Sequence, residues 1–488
     1  MSVLLLAASV LGTALIGGAL LCASTGARDG AIPGGVALRI GIAYPLGLLV
    51  AAAWMRLLGA VHVPWSPAIV LLPPAALAGV LLWRARAGFT RPALVALARR
   101  IGDGDAGGQR WLWLGLLAWL ALRLLLLMGE ALARPPLPWE AWLHAAGHAH
   151  VWNAHGGPVP FVPEALWWTS GGWLEGLAGA SPLTPLIDAW TLAAMGVFDD
   201  TVIHAPWVLL WFSQAFIAYG AMRGAGATRM ASLATGALIT TLPLPNAHAA
   251  LGGTAALPLA TWYLAAFAGA YRWSQSHDRR HAALVVIGIA GMLASGGASG
   301  ALWVLTLLPF TVSRLHPARM RKAVAGCVLM AALGAVVLAR QDLFGPPNAA
   351  EVSPGLAALA QHAFLLGNWH LLAYAALAVA IGCWRDWRTT ELLPASGVTA
   401  LGLLAIIVFT HSSMGRTMLG ATGGIGHAAT AWAPVLALWT ALTAHAWYAR
   451  TAVTEVATEG SHASEFGGTP AANAGEASVP STSSDLAG

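Results

Sequence analysis

Apolar runs of about 15–23 residues, nearly free of charge, recur along the chain from residue 3 to residue 447. This recurrence constrains the fold more than any other feature. A run of this length matches the ~20 helical residues that cross the ~30 Å hydrocarbon core of a bilayer. Composition supports the same reading. Asp, Glu, Lys and Arg together make up 9% of the chain and hydrophobic residues 58%, whereas charged residues are roughly 25% of a typical soluble domain. So few charges cannot clothe a soluble surface, which excludes a soluble enzyme, a nucleic-acid binder and a disordered protein. The sequence therefore predicts an all-α polytopic transmembrane bundle of about 11–13 spans in a lipid bilayer, with no nucleic-acid partner.

Spans are predicted near 3–22, 37–59, 66–83, 111–130, 203–221, 229–244, 250–271, 282–296, 299–313, 323–339, 367–384, 396–412 and 428–447. The pair at 282–313 is interrupted by Ser295-Gly296-Gly297-Ala298-Ser299-Gly300, a composition that also suits a re-entrant feature. No basic residue precedes the run 3–22, and Leu21 is bulky where a lipoprotein site needs a small residue, so this run is read as a retained first span. Cys22, Cys327 and Cys383 have neither metal nor disulfide spacing and read as small buried hydrophobes.

The basic residues set the orientation. If thirteen spans alternate, 19 of the 25 Lys and Arg fall on one side, including the six Arg of the loop 84–110. Three, Arg134, Arg340 and Arg416, fall on the other, and Arg39, Arg56 and Arg123 lie in spans. This distribution puts the C-terminus in the cytoplasm. The chain then reads as N-terminal spans (1–130), a periplasmic segment (131–202), a C-terminal bundle (203–447) and a disordered cytoplasmic tail (448–488) rich in Ser, Ala, Gly, Thr and Glu. The chain is therefore expected to be a multi-pass protein of a cytoplasmic membrane.

A segment as long as 131–202 is the natural place for function. Residues 130–204 hold seven of the 20 acids and five of the 16 His. They also hold Trp139, Trp142, Trp152, Trp167, Trp168, Trp173 and Trp190, with Trp207 close behind. Aromatic faces stack on sugar C–H surfaces and acids bind hydroxyls. The plainer reading is a set of short amphipathic helices at the interface, anchored by Trp. Helix is predicted after Pro138, and there Glu140, His144 and His148 recur every fourth residue on one face. That set suits a general base tuned by imidazole, a divalent metal site or a solvated helix face. Zinc is not favoured, because the sequence offers no second ligand cluster, and no cofactor is fixed by it. On the fourth span Arg123 and Glu130 lie seven apart and share a face leading into the segment.

At this point the chain resembles the bacterial GT-C membrane glycosyltransferases, the broad group of glycosyltransferase family 39, protein mannosyltransferases and aminoarabinose transferases. One branch has a loop beginning R-P-x-x-P-W-D-A-W, and here Arg134-Pro135-Pro136-Leu137-Pro138-Trp139-Glu140-Ala141-Trp142 runs on to His150-Val151-Trp152. A Y-P-P-L-x-P-L-x-x-A-W element is similar to Ser181 through Trp190, and G-x-W-D-E then P-W to Gly196 through Asp200 then Pro206-Trp207. A G-Y-A-D-L-P-L-A element is similar to Gly253 through Ala260. The branch's loop Asp is Glu140 here, its Lys and Arg align with His148 and His150, its later Asp with Ala256 and a late Arg with His427.

The resemblance implies transfer of a sugar from a polyprenyl-phosphate donor to an envelope glycan, lipid or protein on the periplasmic side. It makes Glu140 the base and Trp139, Trp142, His144, His148, His150, Asp199, Asp200, Arg340, Arg416 and His427 the substrate-binding residues, with cations for the leaving phosphate among His148, His150, Arg340 and Arg416. A non-catalytic lipid- or glycan-binding protein of the same fold is the alternative. A transporter is disfavoured by the few intramembrane charges and the lack of an internal repeat.

Overall fold

The computed structural model describes residues 2–25, 34–85, 108–135, 141–175, 181–196, 199–340, 360–411 and 425–466. Among these the protein is almost entirely helical, with a single pair of two-residue strands. The N-terminal helices are α1 (Ser2–Thr25), α2 (Gly35–Ala60), α3 (Pro67–Ala85) and α4 (Gly108–Ala133). A π-helical turn, Ala141–Ala146, runs into α5 (Gly147–Ala154), followed by α6 (Glu164–Ser170) and α7 (Leu183–Met195). The remainder comprises α8 (Ala205–Gly224), α9 (Arg229–Thr241), α10 (Pro243–Leu251), α11 (Ala256–Ser276), α12 (Arg279–Gly296), α13 (Ala298–Leu305), α14 (Leu308–Leu315), α15 (Met320–Arg340), α16 (Leu372–Gly382), α17 (Leu393–His411) and α18 (Ile425–Phe466). The described residues up to Ala444 form one compact unit, and α18 from His445 onward belongs to a second.

Five helices are long and apolar enough to cross a membrane, within Leu4–Ser24, Gly35–Ala60, Pro67–Arg84, Arg110–Ala133 and Val202–Gly224. On α3 and α4, Leu72, Leu77, Val80, Trp111, Leu122, Leu125 and Leu126 are exposed, a surface suited to hydrocarbon rather than water. Every apolar run predicted from the sequence carries helix. The run 299–313 is broken into α13 and α14, because Pro309 at the start of α14 cannot donate to the turn before it. Where the tail composition predicted disorder from 448, α18 continues to Phe466, and residues 467–488 lie outside the described residues.

Close backbone approach binds the first layer. A Cβ on Gly17 would overlap the carbonyl of Ala43, and one on Gly47 would overlap that of Thr13, so α1 and α2 cross through small residues. α2 runs antiparallel to α8 through Gly41 against Ile217 and Gly220 against Leu38. α8 and α11 run parallel: Trp207 Nε1 donates to Thr254 O at 2.9 Å, Gln214 Nε2 to Thr261 Oγ1 at 3.0 Å, and Arg272 lies over Gly224. Local capping starts the helix that follows each of them, with Ala231 N donating to Thr228 Oγ1 at 3.2 Å before α9 and Arg280 N to Asp278 Oδ1 at 2.9 Å before α12.

The segment expected as a loop of short amphipathic helices does hold short helices, but α7 is not amphipathic. All 13 of its residues are buried, and it packs against α1, α2, α3 and α5. Only Thr184, Asp188 and Thr191 interrupt its apolar character, so burial on every face is what its composition suits. Trp190 is its anchor, buried and donating from Nε1 to Thr13 Oγ1 at 3.2 Å.

Candidate functional site

Two groups of buried imidazoles converge at the end of the bundle where α8 and α11 begin. The first is built on the π-turn and α5. His144 Nε2 donates to Ser181 O at 2.9 Å, tying this segment to the start of α7, and His148 Nδ1 donates to His144 O at 2.7 Å. The His148 ring stacks on Phe161, centroids 3.6 Å apart, with Trp152 edge-on at 5.7 Å and His144 at 4.6 Å. Ser181 Oγ donates to Ala294 O on α12 and also accepts from Leu183 N, the first residue of α7, at 3.2 Å. Burial pushes the His148 imidazole down to about 4, and neighbouring His144 adds to the effect. Burial lowers His144 as well. His148 is thus neutral at neutral pH and packed as an aromatic ring, which leaves it without the charge a phosphate partner needs.

The second group surrounds the turn Gly252-Gly253-Thr254. Gly252 and Gly253 have φ of +63° and +73°, the left-handed region that glycine enters without strain. Their missing side chains allow the turn to lie between two elements. A Cβ on Gly252 would overlap the His204 ring, and one on Gly253 would overlap Ala141 of the π-turn. His248 on α10 shares a hydrogen bond with Thr254 Oγ1 at 3.2 Å, and its backbone O accepts from Gly252 N at 3.1 Å. His427 at the start of α18 meets His248 edge-on, centroids 4.7 Å apart. His204 faces Trp207 at 6.2 Å. Both ring nitrogens of His204 and Nε2 of His248 are buried without a hydrogen-bond partner. Each unmade bond costs about 1–3 kcal/mol, so three at one turn mark it as a candidate polar site.

The sequence-predicted residues divide accordingly. His144, His148 and His427 are drawn into these two groups. Trp142 and His150 are exposed on the same segment. Trp139, Glu140 and Arg416 lie outside the described residues, and Arg340 closes α15. Asp199 caps the turn before α8, accepting from Thr201 N at 3.0 Å and Thr201 Oγ1 at 2.7 Å, with Asp200 partly exposed beside it. Ala256 is buried in the first turn of α11. Glu130 pairs with Arg134 at 2.9 Å, one turn on, rather than with Arg123, whose guanidinium lies over Trp119 at 5.6 Å. Among the described residues, no three His, Cys, Asp or Glu gather closely enough to hold a metal ion.

Sequence reasoning counted His204 only among the five His of residues 130–204 and gave no role to His248, and only the turn brings them together. It counted Asp188 only among the seven acids of that stretch; in the structure Asp188 is fully buried on α7, with neither carboxylate oxygen partnered among the described residues. Its signal was a single acid in the apolar stretch Leu183–Met195. No family model matches the chain, and no curated protein or solved structure matches it either.

Proposed function

We propose that the chain is a polytopic inner-membrane glycosyltransferase that moves a sugar from a polyprenyl-phosphate donor to an envelope acceptor on the periplasmic side. The observation that carries this reading is the packing of Ala141 against Gly253. Ala141 directly follows Glu140, and Gly253 opens the distant element that resembles the same enzyme group. In the proposed reaction Glu140 takes the proton of an acceptor hydroxyl. The hydroxyl oxygen bonds to the sugar C1 as the C1–O bond to the lipid phosphate breaks and the phosphate departs with its electron pair. Arg340 and Arg416 are the cations for that phosphate, because His148 is held neutral.

A general base contributes roughly 10²–10⁴-fold to such a step. Glu140→Gln is therefore expected to lower consumption of a radiolabelled polyprenyl-phosphate hexose by at least about 100-fold while the protein stays folded in the membrane. Full transfer by Glu140→Gln removes Glu140 from the mechanism. The neutral His148, where the resembled branch has Lys, favours one other reading, a non-catalytic lipid- or glycan-binding protein. In that case the wild type binds the lipid-linked sugar and never consumes it.

A further inference from the structure

His204 and His248 both meet one turn, His204 against Gly252 and His248 against Thr254. His204 is 1% exposed and His248 8%. Three of their four ring nitrogens are buried without a hydrogen-bond partner among the described residues. The rings come from separate elements, the turn before α8 and helix α10, and His427 of α18 closes on His248.

The surroundings narrow the class of ligand. A metal is disfavoured, since no three ligating side chains converge among the described residues. A phosphate is disfavoured as well. The segments that meet here, 141–154, 199–210, 243–256 and 425–430, contain no Lys or Arg, and an anion needs charged or dense donor partners. A neutral imidazole offers one N–H donor and one bare nitrogen acceptor. A hydroxyl likewise both donates and accepts, so the two are matched without any net charge.

We infer that His204 and His248 form a recognition site for the hydroxyls of an uncharged sugar, seated at the Gly252–Thr254 turn. The site reads the sugar and not the lipid phosphate. It depends on the transferase reading only for the molecule that carries the sugar.

The full-length protein in lipid nanodiscs is tested for equilibrium binding of three probes: a decaprenyl-phosphate hexose, bare decaprenyl phosphate and a methyl hexoside. The wild type is expected to bind the hexose-bearing lipid at least tenfold more tightly than the bare lipid. His204→Phe and His248→Phe are expected to erase that difference while leaving bare-lipid binding within twofold. His248→Gln, which keeps a polar group near Nε2, is expected to retain most of it and guards against a variant that merely misfolds. Equal weakening for both lipids in the Phe variants, or none for either, overturns the proposal, as does a wild type that binds no sugar-bearing probe. If the methyl hexoside binds with the same His dependence and neither lipid binds, the sugar site stands and the transferase reading falls.

Discussion

Asp188 offers a test of the packing that does not depend on what the protein does. It is 0% exposed, on a helix with no exposed residue, and neither carboxylate oxygen has a partner. Burial raises its pKa well above the ordinary 3.8, so the native carboxyl keeps its proton where the unfolded chain has lost it. The native state then binds more protons than the unfolded state, and stability falls as pH rises from the unfolded pKa toward the native one. The slope is about 1.4 kcal/mol per pH unit. Between pH 5 and pH 7 the loss reaches at most about 2.8 kcal/mol, when the native pKa lies above that window. Asp188→Asn keeps the shape and has no proton to lose, so its stability lacks this slope. Thermal and denaturant unfolding of purified wild type and variant in detergent, followed across pH 4–7, measures the difference. The curves are expected to converge near pH 4 and to separate with rising pH, the variant being the more stable. Taking the difference cancels His144 and His148, which titrate in both proteins. Parallel profiles would show that Asp188 is ionised or hydrated in the native state, and the description of α7 as a helix buried on every face would fail.

Two further perturbations probe the site's frame. Gly253→Ala places a side chain at φ +73° and against Ala141; left-handed backbone costs about 1–2 kcal/mol and overpacking about 1–3, so a loss of about 2–5 kcal/mol is expected in thermal unfolding, and unchanged stability would refute the contact between turn and π-turn. His148 is lowered to about 4 by burial, so its contribution is complete above the unfolded value near 6.5 and is lost as pH falls from there toward 4. His148→Phe, which preserves an aromatic ring against Phe161, is expected to narrow the gap between the wild-type melting temperatures at pH 5 and pH 7; an unchanged gap would mean that the ring is not held neutral by burial.

The helices were legible because a long apolar run is informative without knowledge of its neighbours. α7 was not, because 13 residues are too few for a span and the stretch contains Asp188. Only its contacts with α1, α2 and α3 show that it belongs to the core. The run of Trp through residues 130–207 was legible in the sequence and misleading as an assignment. Trp152, Trp190 and Trp207 are buried, each with its indole N–H bonded, to Val159 O, Thr13 Oγ1 and Thr254 O respectively. They are packing residues that happen to fall in the segment. Trp142, Trp168 and Trp173 remain exposed and keep the glycan-binding or interfacial reading. The proximity of His204 and His248 to one turn was not legible for a different reason. A lone imidazole in an apolar run carries no pattern, and its meaning comes from a glycine turn that joins two helices.

The parallel run of α8 and α11 links this site to the placement of charge. Both helices begin at the imidazole end, at His204 and at the turn ending in Thr254. Both finish at the other end, where Arg223 closes α8, Arg272 lies over Gly224, and Arg314 of α14 stacks on Trp273 at 5.1 Å. Basic residues and the imidazole site thus occupy opposite ends of the same pair of helices. If Arg223, Arg272 and Arg314 face the cytoplasm, as basic residues beside spans do, the imidazole end faces the opposite side of the membrane. The orientation of the imidazole end then follows from the sign of the charge at the far end of α8 and α11, even though no Lys or Arg lies in the segments 141–154, 199–210, 243–256 and 425–430.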